Sequence, residues 1–203
     1  MKIYQFPLGA LQTNCYVLEG EGGKAVVIDP ASSDEVIRFL NGKSLTLGAI
    51  VLTHGHFDHF AGVPALKRQT GCEVIGTKPD EEMFLSAQKS WADFMPYVPF
   101  EPVTLDRSFS DGEEFTACGI SFRAMAAPGH TAGSCLLFCG DVIFAGDTVF
   151  FGSIGRTDGY SASGADMRRS LEKIAAIDGD YRIYCGHGEP TTLSFEKENN
   201  PFM

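Results

Sequence analysis

Basic residues are scarce in this 203-residue chain. Sixteen Lys and Arg stand against 26 Asp and Glu, for a formal net charge of −10 and a pI of about 4.9. No dense run of Lys or Arg occurs. Nucleic acid and anionic membranes need a basic footprint, so neither is expected as the main partner. The acidic surface reads as a solubility device. Long apolar runs are missing too. No stretch approaches the roughly 18 residues of a membrane span. The opening MKIYQFPLGALQTNCYVLEG lacks both a long apolar core and a small-residue cleavage site, so it does not read as a signal peptide. The expected address is the cytoplasm. CxxC spacing is absent among the six cysteines (15, 72, 118, 135, 139 and 185). Several sit in apolar strand-like runs, so buried reduced thiols are expected rather than disulfides or thiol catalysis. Histidine is sparse as well, with five in the chain.

What is present suffices for a folded domain. Hydrophobic residues make up 44% and aromatics 11%, enough for a sizeable core. With no low-complexity segment, charge block or linker, one domain over 1–203 is expected. Short β-like runs alternate with turn signals and a few helical patterns. "CYVLE" and "AVVIDP" flank "GEGG" as a hairpin. "SSDEVIRFLNG" reads as a helix with Ser capping, acids in its first turn and Gly just past its end. "LGAIVLT" and "EVIGT" read as strands, the first buried on both faces. "FAGVPALKRQTG" reads as a helix between them. Residues 78–103 hold the only Trp, three Phe and four Pro, and read as a helix at 79–91 followed by an irregular aromatic arm. "FSDGEEFTACGISFRAMAAPG", "SCLLFCGDVIFAGDTVF" and "YRIYCG" are strand-like. "SASGADMRRSLEKIAAID" is a helix with Met167, Leu171, Ile174 and Ile177 on one face. This mixture favours a layered α/β or α+β domain.

One pattern repeats four times: an apolar strand ends and a metal-capable residue follows. His54 follows "AIVLT", His130 follows "FRAMAAPG", Asp147 follows "VIFAG" and His187 follows "RIYCG". Gly precedes three of these residues and follows the fourth, letting the backbone turn tightly. The five histidines all fall on these turns, three of them in "THGHFDH". In an extended segment residues two apart point the same way, so His54 and His56 can face one ion. Asp58 and His59 lie where the next helix begins and face a second position. His130 can complete the first set and His187 the second, with Asp147 bridging. Imidazole and carboxylate without thiolate suit Zn(II) first, with Fe(II) or Mn(II) as options. Two such ions about 3.5–4 Å apart would hold a water between them.

With "VIDP", "THGHFDH", "GHTAGS", "GDTVF" and "GHGEPTT" in this order, the chain resembles the metallo-β-lactamase superfamily from about Asn14 onward. The resemblance implies a four-layer αβ/βα sandwich with the metals at one edge of two sheets. It also implies that Asp29 orients the ligand loop from behind the ligands. Within the superfamily the chain looks most like the glyoxalase II (hydroxyacylglutathione hydrolase) branch, in its short single-domain form. That branch carries a basic residue nine positions after the bridging Asp that contacts glutathione, and here it is Arg156, suited to a carboxylate. Full-length glyoxalase II also has a helical C-terminal domain completing the glutathione pocket, whereas this chain runs 16 residues beyond His187. Trp91, Phe94, Met95, Tyr97 and Phe100 of the aromatic arm can cover the site instead, or pack against a core edge. The implied activity is hydrolysis of a small-molecule thioester, such as a glutathione thioester, by a metal-bridging hydroxide, with Asp58 orienting the water. The implied rivals are a mono-iron persulfide dioxygenase using His54, His130 and Asp147, and a metallo-hydrolase of another ester or amide. A zinc β-lactamase is expected to show Cys at the place of Asp147, a nuclease of this fold more basic charge, and a diiron flavoprotein Glu at the place of His56. A non-catalytic metal-binding module is the remaining class.

Overall fold

Two six-stranded sheets carry the chain, and the structure, a computed structural model, describes residues 1–203. The first sheet runs β1 (Ile3–Leu8), β2 (Thr13–Glu19), β3 (Lys24–Ile28), β4 (Thr46–Val51), β5 (Glu73–Thr77) and β6 (Arg107–Phe109) in sequence order. The second is built from β7 (Glu114–Ala117), β8 (Ile120–Ala126), β9 (Cys135–Cys139) and β10 (Val142–Gly146). After a small separate hairpin of β11 (Val149–Phe150) and β12 (Ser153–Ile154), β13 (Arg182–Cys185) and β14 (Thr191–Thr192) complete it beside β10. The helices are α1 (Asp34–Lys43), α2 (Phe57–Phe60), α3 (Val63–Thr70), α4 (Glu81–Phe84), α5 (Gly164–Ala175) and α6 (Leu193–Asn199).

Side-chain alternation sorts the core into layers. Val26 and Ile28 of β3 face the second sheet and meet Phe122, Leu137 and Phe144. Ala25 and Val27 face the other way, against Val36 and Leu40 of α1 and Val63 and Leu66 of α3. On the far side, Leu136, Phe138, Ile143 and Ile183 pack on Met167, Leu171 and Ile174 of α5. Helix, sheet, sheet, helix is the four-layer sandwich expected from the motifs.

Strand direction explains why the motifs converge. β3, β4, β5 and β6 are parallel, so their C-terminal ends share one edge. β10 and β13 are also parallel, and β8 runs with them because β9 is antiparallel to both of its neighbours. The segments after β3, β4, β8, β10 and β13 carry Asp29, His54, His130, Asp147 and His187.

Three local expectations are corrected. The helix expected at 79–91 is one 3-10 turn, Lys78–Asp80, and one α-turn, α4. Ser90 offers its carbonyl to the Phe57 N–H at 2.9 Å, and Trp91 takes a left-handed conformation (φ 65). That docking onto the start of α2 displaces the local helical preference. Gly42 lies inside α1 rather than past its end. The left-handed cap is Ser44 (φ 54), and the Leu45 N–H closes onto Leu40 O at 2.9 Å, which packs Leu45 against the core. Finally, Ser33 makes no capping bond to the backbone of α1; the nearby Ser32 hydroxyl instead contacts Glu35.

Candidate metal centre

The chain ends β4 at Val51 and delivers His54 to the sheet edge, buried. His56 remains extended (φ −79, ψ 141), and α2 then begins and turns Asp58 and His59 to a second position. Two groups of donors result, His54–His56–His130 and Asp58–His59–His187, and a third, Asp29–His54–His59, overlaps both. Asp147 lies between the first two. Its Oδ2 stands 3.5 Å from His130 Nε2 and 3.5 Å from His187 Nε2, while Oδ1 stands 3.4 Å from His59 Nε2. Within the second group Asp58 Oδ2 is 3.3 Å from His187 Nε2 and 3.5 Å from His59 Nε2. All seven residues singled out in the sequence therefore meet at this edge.

These separations test whether the residues fit a metal. Around a tetrahedral ion with bonds of about 2.0–2.2 Å, donor atoms stand roughly 3.3–3.6 Å apart. Five of the spacings above fall at that value, too long for good hydrogen bonds. By contrast His56 Nδ1 to His130 Nε2 is a hydrogen-bond distance of 2.8 Å. His54 Nε2, His56 Nε2, His59 Nε2 and Asp147 Oδ1 are buried without partners. Buried polar atoms rarely remain so, and nitrogen and carboxylate donors aimed at one another fit divalent ions.

The outer ring nitrogens have fixed partners, which sets the tautomers. Asp29, 1% exposed, accepts from Thr53 N at 2.9 Å, Thr53 Oγ1 at 2.6 Å and His59 Nδ1 at 3.0 Å. With its proton given to Asp29, Thr53 Oγ1 is left to accept from His54 Nδ1 at 3.1 Å. His130 Nδ1 donates to Arg156 O at 2.8 Å and His187 Nδ1 to Leu11 O at 3.2 Å. In these four rings the proton on Nδ1 leaves Nε2 as the acceptor; it is without a partner in His54 and His59, while that of His130 meets His56 Nδ1. Asp29 thus lies where the motif resemblance places it, behind the ligands.

Two further groups escaped the sequence reading. Asp80, fully buried, accepts from Gly55 N at 2.8 Å, Thr131 Oγ1 at 2.7 Å and Gly133 N at 2.7 Å. It ties the His54–His56 loop to the His130 loop. A signal was available, because Asp80 follows the end of β5 as the other acids and histidines follow their strands. Thr13 donates to Asp58 Oδ2 at 2.6 Å and has no motif of its own.

Electrostatics divide the two groups. Burial, reinforced by the neighbouring histidines, holds His54 well below its ordinary range and lowers His56 to about 3. Burial also opposes charge on His59 and His187, yet nearby carboxylates outweigh it. Asp58, Asp147 and Asp29 raise His59 well above its usual value, and Asp147 and Asp58 push His187 up to about 9. Burial works to raise the Asp147 carboxyl, but His59, His187 and His130 hold it well below the carboxylate range.

His56, Asp58, His130, Asp147 and His187 line a cleft of about 830 Å³, with His54 and His59 buried beside them. Trp91, Phe94 and Met95 of the aromatic arm form one wall, and Leu11 and Phe150 stand opposite. The Trp91 ring stacks on His56 with centroids 4.4 Å apart and planes 14° apart. Gly159 permits this position, since a Cβ there would lie 2.5 Å from the indole. The Arg156 guanidinium lies 4.7 Å from the Trp91 ring, with Nε and Nη2 held by Asp158 at 2.7 and 2.8 Å. Of the arm, Tyr97 is exposed and Phe100 packs on Phe57 and Phe60 of the core. Part of the arm thus lines the cleft and part packs a core edge.

The sequence profile of the metallo-β-lactamase superfamily matches residues 8–187. The chain belongs to that superfamily. Superfamily members bind divalent metals, in keeping with the His/Asp cluster. At 31% identity the chain is similar to "Hydroxyacylglutathione hydrolase GloC" of Haemophilus influenzae, over all of this chain and 98% of that protein. It is also similar to the crystal structure of "BLEG-1 B3 metallo-beta-lactamase", with TM-score 0.92, 30% identity and 99% of each chain covered. A third superfamily protein, TTHA1623, crystallised "in a di-iron-bound form", gives TM-score 0.87 and 29% identity over 98% of this chain and all of that one. Proteins bearing different names thus share this scaffold at nearly the same distance, and the fold alone does not set the substrate. No helix is long and apolar enough to cross a membrane.

Proposed function

We propose that this superfamily member is a two-metal hydrolase that cleaves thioesters, in the manner of glyoxalase II. The observation that carries this is the pair of three-donor groups joined by Asp147 at the foot of one cleft. His54, His56 and His130 would hold one divalent ion, and Asp58, His59 and His187 the other, with Asp147 shared and zinc the first candidate. Such a pair supplies a hydroxide nucleophile near neutral pH and polarises the carbonyl. The chain's own residues do the rest. Asp29 and Thr53 hold a proton on Nδ1 of His59 and His54, so that Nε2 of each ring is the atom offered to a metal. Asp58, fixed by Thr13, offers a carboxylate beside the open half of the site and orients the attacking water. Arg156 has Nη1 free after its two bonds to Asp158, and that group binds a substrate oxygen. The water oxygen bonds to the carbonyl carbon and the C–S bond breaks, its electron pair leaving on sulfur. The sulfur takes one proton and the other passes to solvent.

We take residues 1–203 as one working domain and the cytoplasm as its compartment, supported by six free cysteines. The test is elemental analysis of purified protein together with assays of S-lactoylglutathione, a chromogenic β-lactam, and oxygen uptake with glutathione persulfide. Two metals per chain with thioester cleavage is the expected result. One iron with oxygen uptake, or β-lactam cleavage without thioesterase activity, would sink the proposal. His56→Ala adds a second discrimination: hydrolysis collapses, whereas a dioxygenase needing only His54, His130 and Asp147 would lose less.

A further inference from the structure

Apart from the metal-binding candidates, the cleft offers few polar groups. Ser90, Arg156, Asp158 and the indole N–H of Trp91 are its other side-chain groups able to hydrogen-bond. The Ser90 hydroxyl already donates to Ser86 O at 2.8 Å. Outside the metal-binding candidates Arg156 is the cleft's one basic side chain, and Asp158 holds two of its three nitrogens. A glutathione thioester brings two carboxylates and an ammonium, and finds beyond the metal site one internally paired charge. The apolar lining, by contrast, is extensive and uncovered. Phe94 is 80% exposed and Leu11 55% exposed. Trp91, stacked on His56, and Phe94 lie beside the first donor group. Leu11, whose carbonyl holds His187, and Phe150, 6.0 Å from the His187 ring, lie beside the second.

The placement of the arm is specified locally. Trp91 adopts φ 65, a conformation a bulky residue seldom takes, and Gly159 leaves room for its ring. A backbone held this way at a site edge points to a positioned contact surface.

Resting on the thioesterase reading, we propose that the group this cleft recognises beside the scissile carbonyl is apolar. The preferred substrates are then thioesters bearing a medium alkyl or aromatic group rather than the charged glutathione thiol. The apolar group belongs to either the acyl or the thiol side, and two substrate series distinguish them.

The test uses the metal-loaded full chain. One series is the acetyl, butanoyl, hexanoyl and benzoyl thioesters of N-acetylcysteamine. The other is the acetyl thioesters of methanethiol, butanethiol and thiophenol, with S-lactoylglutathione as the charged reference. Burying a methylene is worth up to about fourfold in binding. In the responsive series kcat/KM should climb by on the order of 10²-fold across the four methylenes of the acyl series or the three of the thiol series, and exceed that of S-lactoylglutathione. Phe94→Ala and Leu11→Ala, at exposed positions that tolerate truncation, should flatten the slope by several-fold. Binding has an independent readout because Trp91 is the only tryptophan. A hexyl thioether of N-acetylcysteamine should shift its fluorescence at lower concentration than S-methylglutathione does. Flat slopes in both series, a preference for S-lactoylglutathione, or slopes untouched by both substitutions would each overturn the inference while leaving the thioesterase reading intact. Failure of a two-metal preparation to cleave any thioester would remove that reading, and the inference with it.

Discussion

Replacing Asp29 by Asn isolates the role of one buried carboxylate. The backbone at 29 is left-handed (φ 51), a conformation Asn tolerates well, and the side chain keeps its size. Asp29 accepts three hydrogen bonds and donates none. Asn has a single oxygen. If that oxygen stays on Thr53 N, the amide nitrogen faces His59 Nδ1 at about the present 3.0 Å. His59 must then accept there, which moves its proton to Nε2, the atom aimed at the second donor group. If the amide flips instead, two N–H groups collide at the Thr53 backbone. Either outcome taxes the second group more than the first. Loss of a partner behind a metal-binding histidine typically lowers affinity 10- to 100-fold, equivalent to about 1.4–2.8 kcal/mol. The assay is titration with Zn(II) against a chromophoric chelator, with elemental analysis and circular dichroism on the same preparation. The expected variant is folded, retains the first metal and binds the second 10- to 100-fold more weakly. Unchanged affinity for both metals in a folded variant would refute the reasoning.

Three further outcomes follow from the same geometry. Gly186→Ala should abolish binding of at least one metal, because a Cβ there overlaps Asp147 Oδ1 and stands 2.9 Å from His59 Cε1; two metals per chain by elemental analysis would contradict this. Asp80→Ala strands the buried Gly55 and Gly133 N–H groups, each costing about 1–3 kcal/mol, so the midpoint of chemical denaturation should fall by an amount equivalent to about 2–6 kcal/mol. Metal binding should be pH-dependent with a definite sign. In the metal-free protein, protonated His187 is favoured, its pKa being raised to about 9; the stability this contributes is present below pH about 6.5 and is lost as pH rises through 9. A metal must displace that proton, so affinity at the second group should rise between pH 7 and 9. Calorimetry in buffers of different ionisation enthalpy should record more protons released on filling this group, where both His59 and His187 are held toward their protonated forms, than on filling the group of His54 and His56, which are held neutral.

The cluster was legible because its residues sit at strand ends, a position the hydrophobic pattern marks directly. "AIVLT", "VIFAG" and "RIYCG" are apolar runs that stop abruptly, and parallel strands bring their ends to one edge. Gly146 and Gly186 announced the tight approach, since any Cβ there meets Thr53 or Asp147. Asp29 was found through the motif resemblance rather than from any spacing rule. Asp80 was hidden because its three partners lie 25 to 53 residues away and carry no shared pattern. The shortened helix near 79–91 was illegible for a related reason. Its local propensity is helical, but the Ser90 carbonyl is claimed by Phe57 from another motif. The end of α1 was misread at Gly42 because the burial of Leu45, not the flexibility of glycine, decides where the chain turns.

The two donor groups share Asp147 but not their surroundings, and the difference bears on how one scaffold carries proteins of different names. His54, His56 and His130 are each at most 3% exposed, and the rings of His54 and His56 are held neutral without a metal. Asp58 and His187 open onto the cleft, and His59 and His187 are held toward their protonated forms by the acids beside them. The first group is therefore poised for a metal, while at the second a metal competes with protons. The side chains that would meet a substrate at that open half, Leu11, Phe150 and Arg156, come from the β1–β2 turn and from the small hairpin and loop after β10 rather than from the two six-stranded sheets. Loops of this kind can change without disturbing the packed strands that hold the donors. On the proposed activity, substrate choice is consequently separable from metal binding: substitutions at Leu11 or Phe94 should alter which substrate is taken, and substitutions at Asp29 or Gly186 should alter whether two metals are held.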